Sequence, residues 1–259
     1  MTENAMFSEE RRLRILELIR ERRKVTVNEL CALLQVSPAT ARGDLRGLDR
    51  DGLIIRTHGG AIDRSKTGFE QVSSRRSTRN LSAKQAIAAE ADKLIEEGDT
   101  LVLDTGTTIL ELGRRLVSRR ELTVVTNDLE IARVLEEAPG VQIVLLGGGL
   151  RKGYHCTVGP PGLRMAQGLR VDKAFMATNS LSLEGGATTP DLQQAETKKA
   201  MMSIAGKVIM LCDSSKLGRN SFTRFAALNE LDVLVTEQIS NEIRVKLEEE
   251  YGIAVITPQ

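Results

Sequence analysis

The chain has 259 residues and a formal charge of +1, which leaves room for a small domain plus a second of about 180 residues with its own core. Near-neutrality excludes a molecule that binds any polyanion through bulk charge, so local clusters of charge matter more. The first residues, MTENAMFSEERR, hold no apolar stretch that could serve as a signal peptide, and no later run approaches the roughly 20 apolar residues of a membrane span.

A cytoplasmic protein without a membrane partner is therefore expected. Cys31, Cys156 and Cys212 are odd in number and lack metal-ligand spacing, and Cys31 and Cys212 fall in apolar stretches, so free buried thiols are expected. With only His58 and His155 as imidazoles, no metal site and no cofactor are expected.

In chain order, the first helix spans about Ser8 to Arg22, carrying Leu13, Leu16 and Ile19 with Ile15 and Leu18 beside them. Thr26 and Glu29 have the spacing of a capping box, which starts a second helix with Leu30, Leu33 and Leu34 on one face. Gln35 and Val36 make a short turn, and Ser37 followed by Pro38 starts a third helix. On that helix Ala41, Leu45 and Leu48 recur at core spacing, which leaves Ala39, Arg42, Gly43, Arg46 and Arg50 outside.

Gly52 ends the helix, Leu53 to Thr57 read as a strand, and His58, Gly59 and Gly60 form a tight turn flanked by Ala61 and Ile62. The order of cap, turn, cap and wing reads as a winged helix-turn-helix over residues 1–62, placing its third helix in DNA. The candidate DNA-contacting set is Ser37, Ala39, Thr40, Arg42, Gly43, Arg46, Arg50, Arg56 and His58. A three-helix packing module with solvated arginines would explain the charge but not that order of signals.

Residues 63–80, DRSKTGFEQVSSRRSTRN, are polar and aperiodic, as expected of an interdomain connection. Phe69 is its candidate for local docking, and Arg75, Arg76 and Arg79 either extend the basic face or form a solvated run. Residues 81–259 then alternate strands with amphipathic helices. Ser82 caps a helix to about Ile95, LVLD precedes ILELGRRLV, TVVT precedes LEIARVLEE, and VQIVLLGG follows. Later strands are expected at Lys173–Ala177, Val208–Cys212, Val233–Thr236 and Ala254–Ile256, with a helix from about Gln194 to Ile204. This is the rhythm of a parallel α/β sheet built from crossover units.

In such a sheet ligands bind at the carboxyl ends of strands. The most pointed candidate is Asp104-Thr105-Gly106-Thr107-Thr108, where glycine lets the backbone turn closely and the threonine hydroxyls and first helical amides can donate to a phosphate. A threonine-capped turn needing no ligand reads the same residues differently. Asn127, Gly147, Gly148 and Lys216 stand at three further strand ends. Asn127 could instead cap a helix and the glycines could simply turn the chain, while Lys216 supplies a point charge suited to phosphate. Lys198 and Lys199 receive no role, and Glu196 is a possible partner for ligand hydroxyls.

At Val36, Ser37, Thr40, Arg42, Asp44, Leu45, Gly59 and Gly60 the chain resembles the DeoR family of bacterial sugar-metabolism repressors. It departs from that pattern at Gly43, where the family usually has a second arginine. Beyond the winged helix the motifs DTGTT (104–108), TND (126–128), LLGGGLR (145–151), DKAF (172–175), ETKKAMM (196–202) and DSSK (213–216) continue the resemblance over nearly the entire chain. It implies a Rossmann-like parallel-sheet sensor related to ribose-5-phosphate isomerase. Gly106, Thr107 and Thr108 would grip the phosphate of a phosphorylated sugar effector, with Asp104, Asn127 and Lys216 nearby.

The expected function is a homo-oligomeric transcriptional regulator, a repressor of sugar catabolism that leaves its double-stranded operator when the phosphorylated sugar binds. An enzyme of the sugar-phosphate isomerase or deaminase kind is the alternative from a different class. It would need a carboxylate base beside the sugar carbonyl, and none of Asp104, Asp172, Asp191, Glu196 and Asp213 has a positional warrant for that.

Overall fold

The computed structural model describes residues 7–22, 24–50, 53–63, 70 and 72–258, without the side chains of Arg20, Asp63 and Arg75. Gly52 and Phe69, read above as a helix stop and a docking residue, lie outside the described residues. The chain divides into two compact units, Met1–Phe69 and Glu70–Gln259.

The first unit runs α1 (Ser8–Arg22), β1 (Lys24–Thr26), α2 (Val27–Leu34), α3 (Pro38–Arg50), β2 (Ile54–Thr57) and β3 (Gly60–Asp63). The capping box forms as the sequence predicts: Glu29 N donates to Thr26 Oγ1 at 3.2 Å, and Thr26 N donates to the Glu29 carboxylate at 2.6 Å. The antiparallel sheet has the order β1-β3-β2, and His58-Gly59 is the two-residue turn between Thr57 and Gly60. At Gly60 a Cβ would lie 2.0 Å from the Val25 carbonyl oxygen, so only glycine lets β3 approach β1 this closely.

Ile15, Leu18, Ile19, Leu30, Ala41, Leu45, Leu48 and Ile54 form the core of this unit. Leu13 and Leu33 do not join it; they remain 63% and 47% exposed. Three short helices and a three-stranded sheet cannot cover every apolar position of their stripes. Cys31 is half-buried rather than buried, and all three cysteines are free thiols.

The second unit runs α4 (Ser73–Ser77), α5 (Leu81–Asp92), β4 (Thr100–Leu103), α6 (Thr107–Arg115), β5 (Leu122–Thr126), α7 (Leu129–Glu136), β6 (Val141–Leu145), β7 (Gly149–Arg151), β8 (Cys156–Val158) and α8 (Pro160–Gln167). It continues with β9 (Val171–Ala177), β10 (Ser180–Ser182), β11 (Gly186–Thr189), α9 (Leu192–Ser203), β12 (Ala205–Leu211), β13 (Thr223–Ala226), β14 (Val233–Val235), α10 (Asn241–Tyr251) and β15 (Ala254–Ile256). The start of α5 differs from the expectation at Ser82. Asn80 precedes its first turn in a left-handed conformation, with φ 50°, and makes no side-chain cap.

Seven parallel strands form the main sheet in the order β15-β14-β12-β9-β4-β5-β6. Successive residues serve opposite faces. Leu101, Leu103, Phe175, Ile209 and Leu211 pack with Ile87, Ile109 and Ile131 of α5, α6 and α7. Val102, Ala174, Met176 and Met210 pack on the other side with Ala166, Ala195 and Leu247 of α8, α9 and α10. Burial on both faces is why these strands read as continuous apolar runs. From β4 the chain proceeds through β5 to β6 and then returns to β9 on the opposite flank of β4. That reversal opens a crevice beyond the carboxyl ends of β4 and β9. Two smaller antiparallel sheets, β7-β8 and β10-β11-β13, complete the unit.

Candidate functional site

On α3 the apolar residues Ala41, Leu45 and Leu48 are at most 2% exposed, and Ala39, Arg42, Arg46 and Arg50 are exposed with Gly43 half-buried between them. Ser37 Oγ accepts from Thr40 N at 3.1 Å and lies 2.9 Å from Thr40 Oγ1, so both hydroxyls take part in starting the helix. Arg56 is half-buried and His58 is exposed at the wing turn. Asp44 carries a role that the spacing did not reveal. It is 4% exposed and pairs with Arg11 and, at 3.8 Å, with Arg12, fixing α3 against α1. The hydrogen bond to Asp44 raises the Arg11 guanidinium above its ordinary value.

In the second unit the residues following β4 build the floor of the crevice. Asp104 is fully buried; its Oδ2 accepts from Ala177 N at 2.9 Å and from Lys198 Nζ. Lys198 Nζ also donates to the Ala177 carbonyl at 2.9 Å and sits 5.2 Å from the Phe225 ring centroid. Thr105 Oγ1 donates to Asp128 Oδ2 at 2.7 Å. Gly106 has φ 150°, and a Cβ there would stand 3.2 Å from that of Ala177, so glycine permits both the turn and the contact. No side chain caps α6, and its first amides lack partners within the helix. Among the described residues three buried side-chain oxygens here have no hydrogen-bond partner: Asp104 Oδ1, Thr108 Oγ1 and Asn127 Oδ1.

The other expected site residues are placed unequally. Asn127 does not cap α7; Asp128 does, accepting from Glu130 N at 2.9 Å and Ile131 N at 3.1 Å. The Asn127 amide donates instead to the Thr157 carbonyl at 2.8 Å. Thr107 is half-buried at the mouth of the loop. At Gly148 a Cβ would fall 2.4 Å from the Val158 carbonyl oxygen, and the Gly147 carbonyl lies close under Gly162. Close packing of backbone against β8 accounts for Gly148, whereas a Cβ at Gly147 would meet nothing closer than Met165 Sδ at 3.8 Å. Glu196 is exposed, and its spacing from buried Lys198 puts it on the other side of α9. Lys216 Nζ lies 3.5 Å from Asp213 Oδ2.

Lys198 was missed as a site residue and Lys84, which donates to the Arg76 and Arg79 carbonyls, as a buried anchor of the neighbouring segment, and one signal could have found both. Lys198 is three residues from both Ala195 and Met201, and Lys84 three and four residues from Ile87 and Ala88, so each lysine interrupts a buried stripe.

The segment expected as an interdomain connection is also different, because Glu70 and residues 72–80 belong to the second unit. The Glu70 carboxylate accepts from Arg76 at 3.0 Å, Arg151 at 3.0 Å and Asn179 at 3.2 Å. Ser73 N donates to the Gly153 carbonyl at 2.9 Å, and Asn80 Nδ2 donates to Asp213 Oδ1 at 3.0 Å. This strap therefore touches groups beyond β9 and β12 as well as the β7-β8 turn. Arg76 is held there by Glu70, and Arg79 is half-buried, so they do not form a solvated run.

Comparison with known proteins matches two separate family patterns to the chain, with residues 68–78 between them. The pattern of the DeoR-like helix-turn-helix domain matches residues 11–67, and that of the DeoR C terminal sensor domain matches residues 79–238. The HTH-type transcriptional regulator GlpR of Haloferax volcanii is 36% identical over 90% of this chain and 91% of its own length. A lactose phosphotransferase system repressor of Staphylococcus aureus is 32% identical over 92% of this chain and 95% of its own. A solved ribose 5-phosphate isomerase of Methanocaldococcus jannaschii aligns at a TM-score of 0.41 and 20% identity, covering 53% of this chain and 55% of that one. Among the described residues no helix is long and apolar enough to cross a membrane.

Proposed function

Because this chain belongs to the DeoR family of DNA-binding transcriptional regulators, we propose that it represses a sugar-catabolism operon and leaves its operator when a phosphorylated sugar occupies the crevice. The observation that carries the ligand half is the group of buried, unpartnered oxygens of Asp104, Thr108 and Asn127 around the uncapped start of α6. Buried polar groups ordinarily have partners, and a sugar's hydroxyls together with a phosphate would supply them. Thr107, Thr108 and the amides of α6 take the phosphate, Lys216 adds charge, and Asp104 and Asn127 take hydroxyls.

The crevice acts by binding and not by turnover. Asp104 is held by Lys198 and the Ala177 amide, an arrangement suited to orienting a hydroxyl. The regulator works in the cytoplasm as a homo-oligomer whose paired α3 helices meet half-sites about one helical turn, or a multiple of it, apart. The effector shifts DNA affinity only through its different affinity for the DNA-bound and free arrangements.

Operator binding in the presence of a panel of sugar phosphates tests both halves. Hexose phosphates come first, because one relative's name ties it to a lactose phosphotransferase system. Thr108→Val should leave operator affinity intact and raise the effector concentration needed for release by about tenfold, the loss of one hydrogen bond to a charged group. A normal response would place the pocket elsewhere. Arg42→Ala should weaken specific operator binding by roughly 1–3 kcal/mol in the same assay, and unchanged affinity would remove Arg42 from the reading face.

A further inference from the structure

The second unit begins at Glu70, and that residue is fastened from several sides. Its side chain is 3% exposed, and its carboxylate accepts from Arg76, Arg151 and Asn179. Its backbone carbonyl accepts from Tyr154 Oη at 2.9 Å. Three residues on, Ser73 binds the β7-β8 turn twice, through its amide to the Gly153 carbonyl at 2.9 Å and its hydroxyl to the Tyr154 carbonyl at 3.2 Å.

Arg151 is the centre of this attachment. Its guanidinium stands 4.1 Å from the Tyr154 ring centroid and donates to Glu70 at 3.0 Å, with Asp191 at 3.4 Å and the Gln194 amide oxygen as further acceptors. A planar fork satisfies several acceptors at once in few poses, so displacing one acceptor weakens the bonds to the others.

Two of the elements that hold Arg151 also hold the crevice. On β7 it pairs with Cys156 of β8, and the next residue, Thr157, accepts from the Asn127 side chain at 2.8 Å and donates its amide to the Asn127 carbonyl at 2.9 Å. On α9 Gln194 is 3% exposed and stands one turn before Lys198, which donates to Asp104. Asp104 Oδ1 and Asn127 Oδ1 are two of the three buried oxygens without partners. A ligand that engages those oxygens therefore acts on the side chains that place β8 and α9, and close packing passes small shifts of such elements to their neighbours.

We propose that Glu70 and Arg151 form a latch through which the crevice controls the segment leading to the winged helix, closed in the operator-binding arrangement and opened by the effector through β8 and α9. This rests on the phosphorylated-sugar reading of the crevice and adds its route of output. Arg151 is a positioning residue in this scheme. Linkage then fixes a two-sided consequence: an effector that prefers the open latch must bind more tightly when the latch is broken, and the operator more weakly. A side chain that only supports the fold has no reason to tighten effector binding.

The test uses the full chain, an operator duplex that it selects from random sequence, and the sugar phosphate that releases this duplex at the lowest concentration, with hexose 6-phosphates tried first. Glu70→Gln keeps the shape and removes the charge. It should weaken operator binding and tighten sugar-phosphate binding, each by about fivefold or more. Arg151→Met should do the same, and the double variant should go no further than either single, since both remove one interaction. Tyr154→Phe removes only the bond to the Glu70 carbonyl and should move both affinities the same way by less, which keeps the latch testable if the charge variants unfold. In the parent, hydrogen exchange at the Ser73 amide should quicken when the sugar phosphate binds. Sugar-phosphate affinity that is unchanged or weaker in the folded variants, or exchange at Ser73 that does not quicken, overturns the latch, and release of the parent from its operator then keeps the effector reading. Failure of every sugar phosphate to alter operator binding by the parent removes the effector reading and the latch with it.

Discussion

Lys198 and Asp104 neutralise one another where neither is reached by water, and that pairing makes the floor of the crevice sensitive to single changes. Removing one partner of a buried pair strands the other charge and costs about 3–5 kcal/mol, whereas removing both is often close to neutral. Lys198→Met should therefore lower unfolding free energy by about that amount in urea titration. Adding Asp104→Asn to it should restore most of the loss. A double variant as unstable as the single would mean that the cost comes from lost packing against Phe225 and not from charge. The rest of the lysine's surroundings, the Ala177 carbonyl and the Phe225 ring, suit a cation that stays in place.

At the scale of elements, α3 shows how an unfavourable residue persists on a working surface. Glycine within a helix costs about 1 kcal/mol relative to alanine, and at Gly43 a Cβ would meet nothing closer than Arg46 Nη2 at 4.0 Å. Gly43→Ala should thus stabilise the first unit by about 1 kcal/mol in thermal unfolding. A loss of stability would show that the helix is under a constraint the open space does not reveal. The elements of this unit were nearly all legible, since caps, periodicity and a two-residue wing turn are local signals. In the second unit the long strands were legible for the same reason. The short strands at Gly149–Arg151, Ser180–Ser182 and Thr223–Ala226 were not, nor were α8 and α10. Short strands lack a run long enough for periodicity, and β13 pairs with β11 between residues 34 to 39 positions apart. The strap was read as a connection because its composition is polar. What docks it are Glu70's bonds to Arg151 and Asn179, 81 and 109 residues away, which no local window contains. Of the crevice, the DTGTT loop and Lys216 were visible by type and position, while Lys198 was not, because lysine is so rarely buried.

For the whole molecule, the division into two compact units predicts that stability is divided as well. Calorimetry should resolve two unfolding transitions, and a sugar phosphate at about 100 times its dissociation constant should raise only the sensor's, by about 2.7 kcal/mol. A single transition moving as one would show that the units unfold as one cooperative block. The Asp44 pair with Arg11 and Arg12 has a consequence of another kind. These charges set the pose of α3 from within the domain, through α1, the element farthest from it in this unit's sequence. Strains selected for loss of repression should then yield lesions at Arg11 as well as on the reading helix, and a map of such lesions would outline the domain's internal scaffold as faithfully as its contact with the operator.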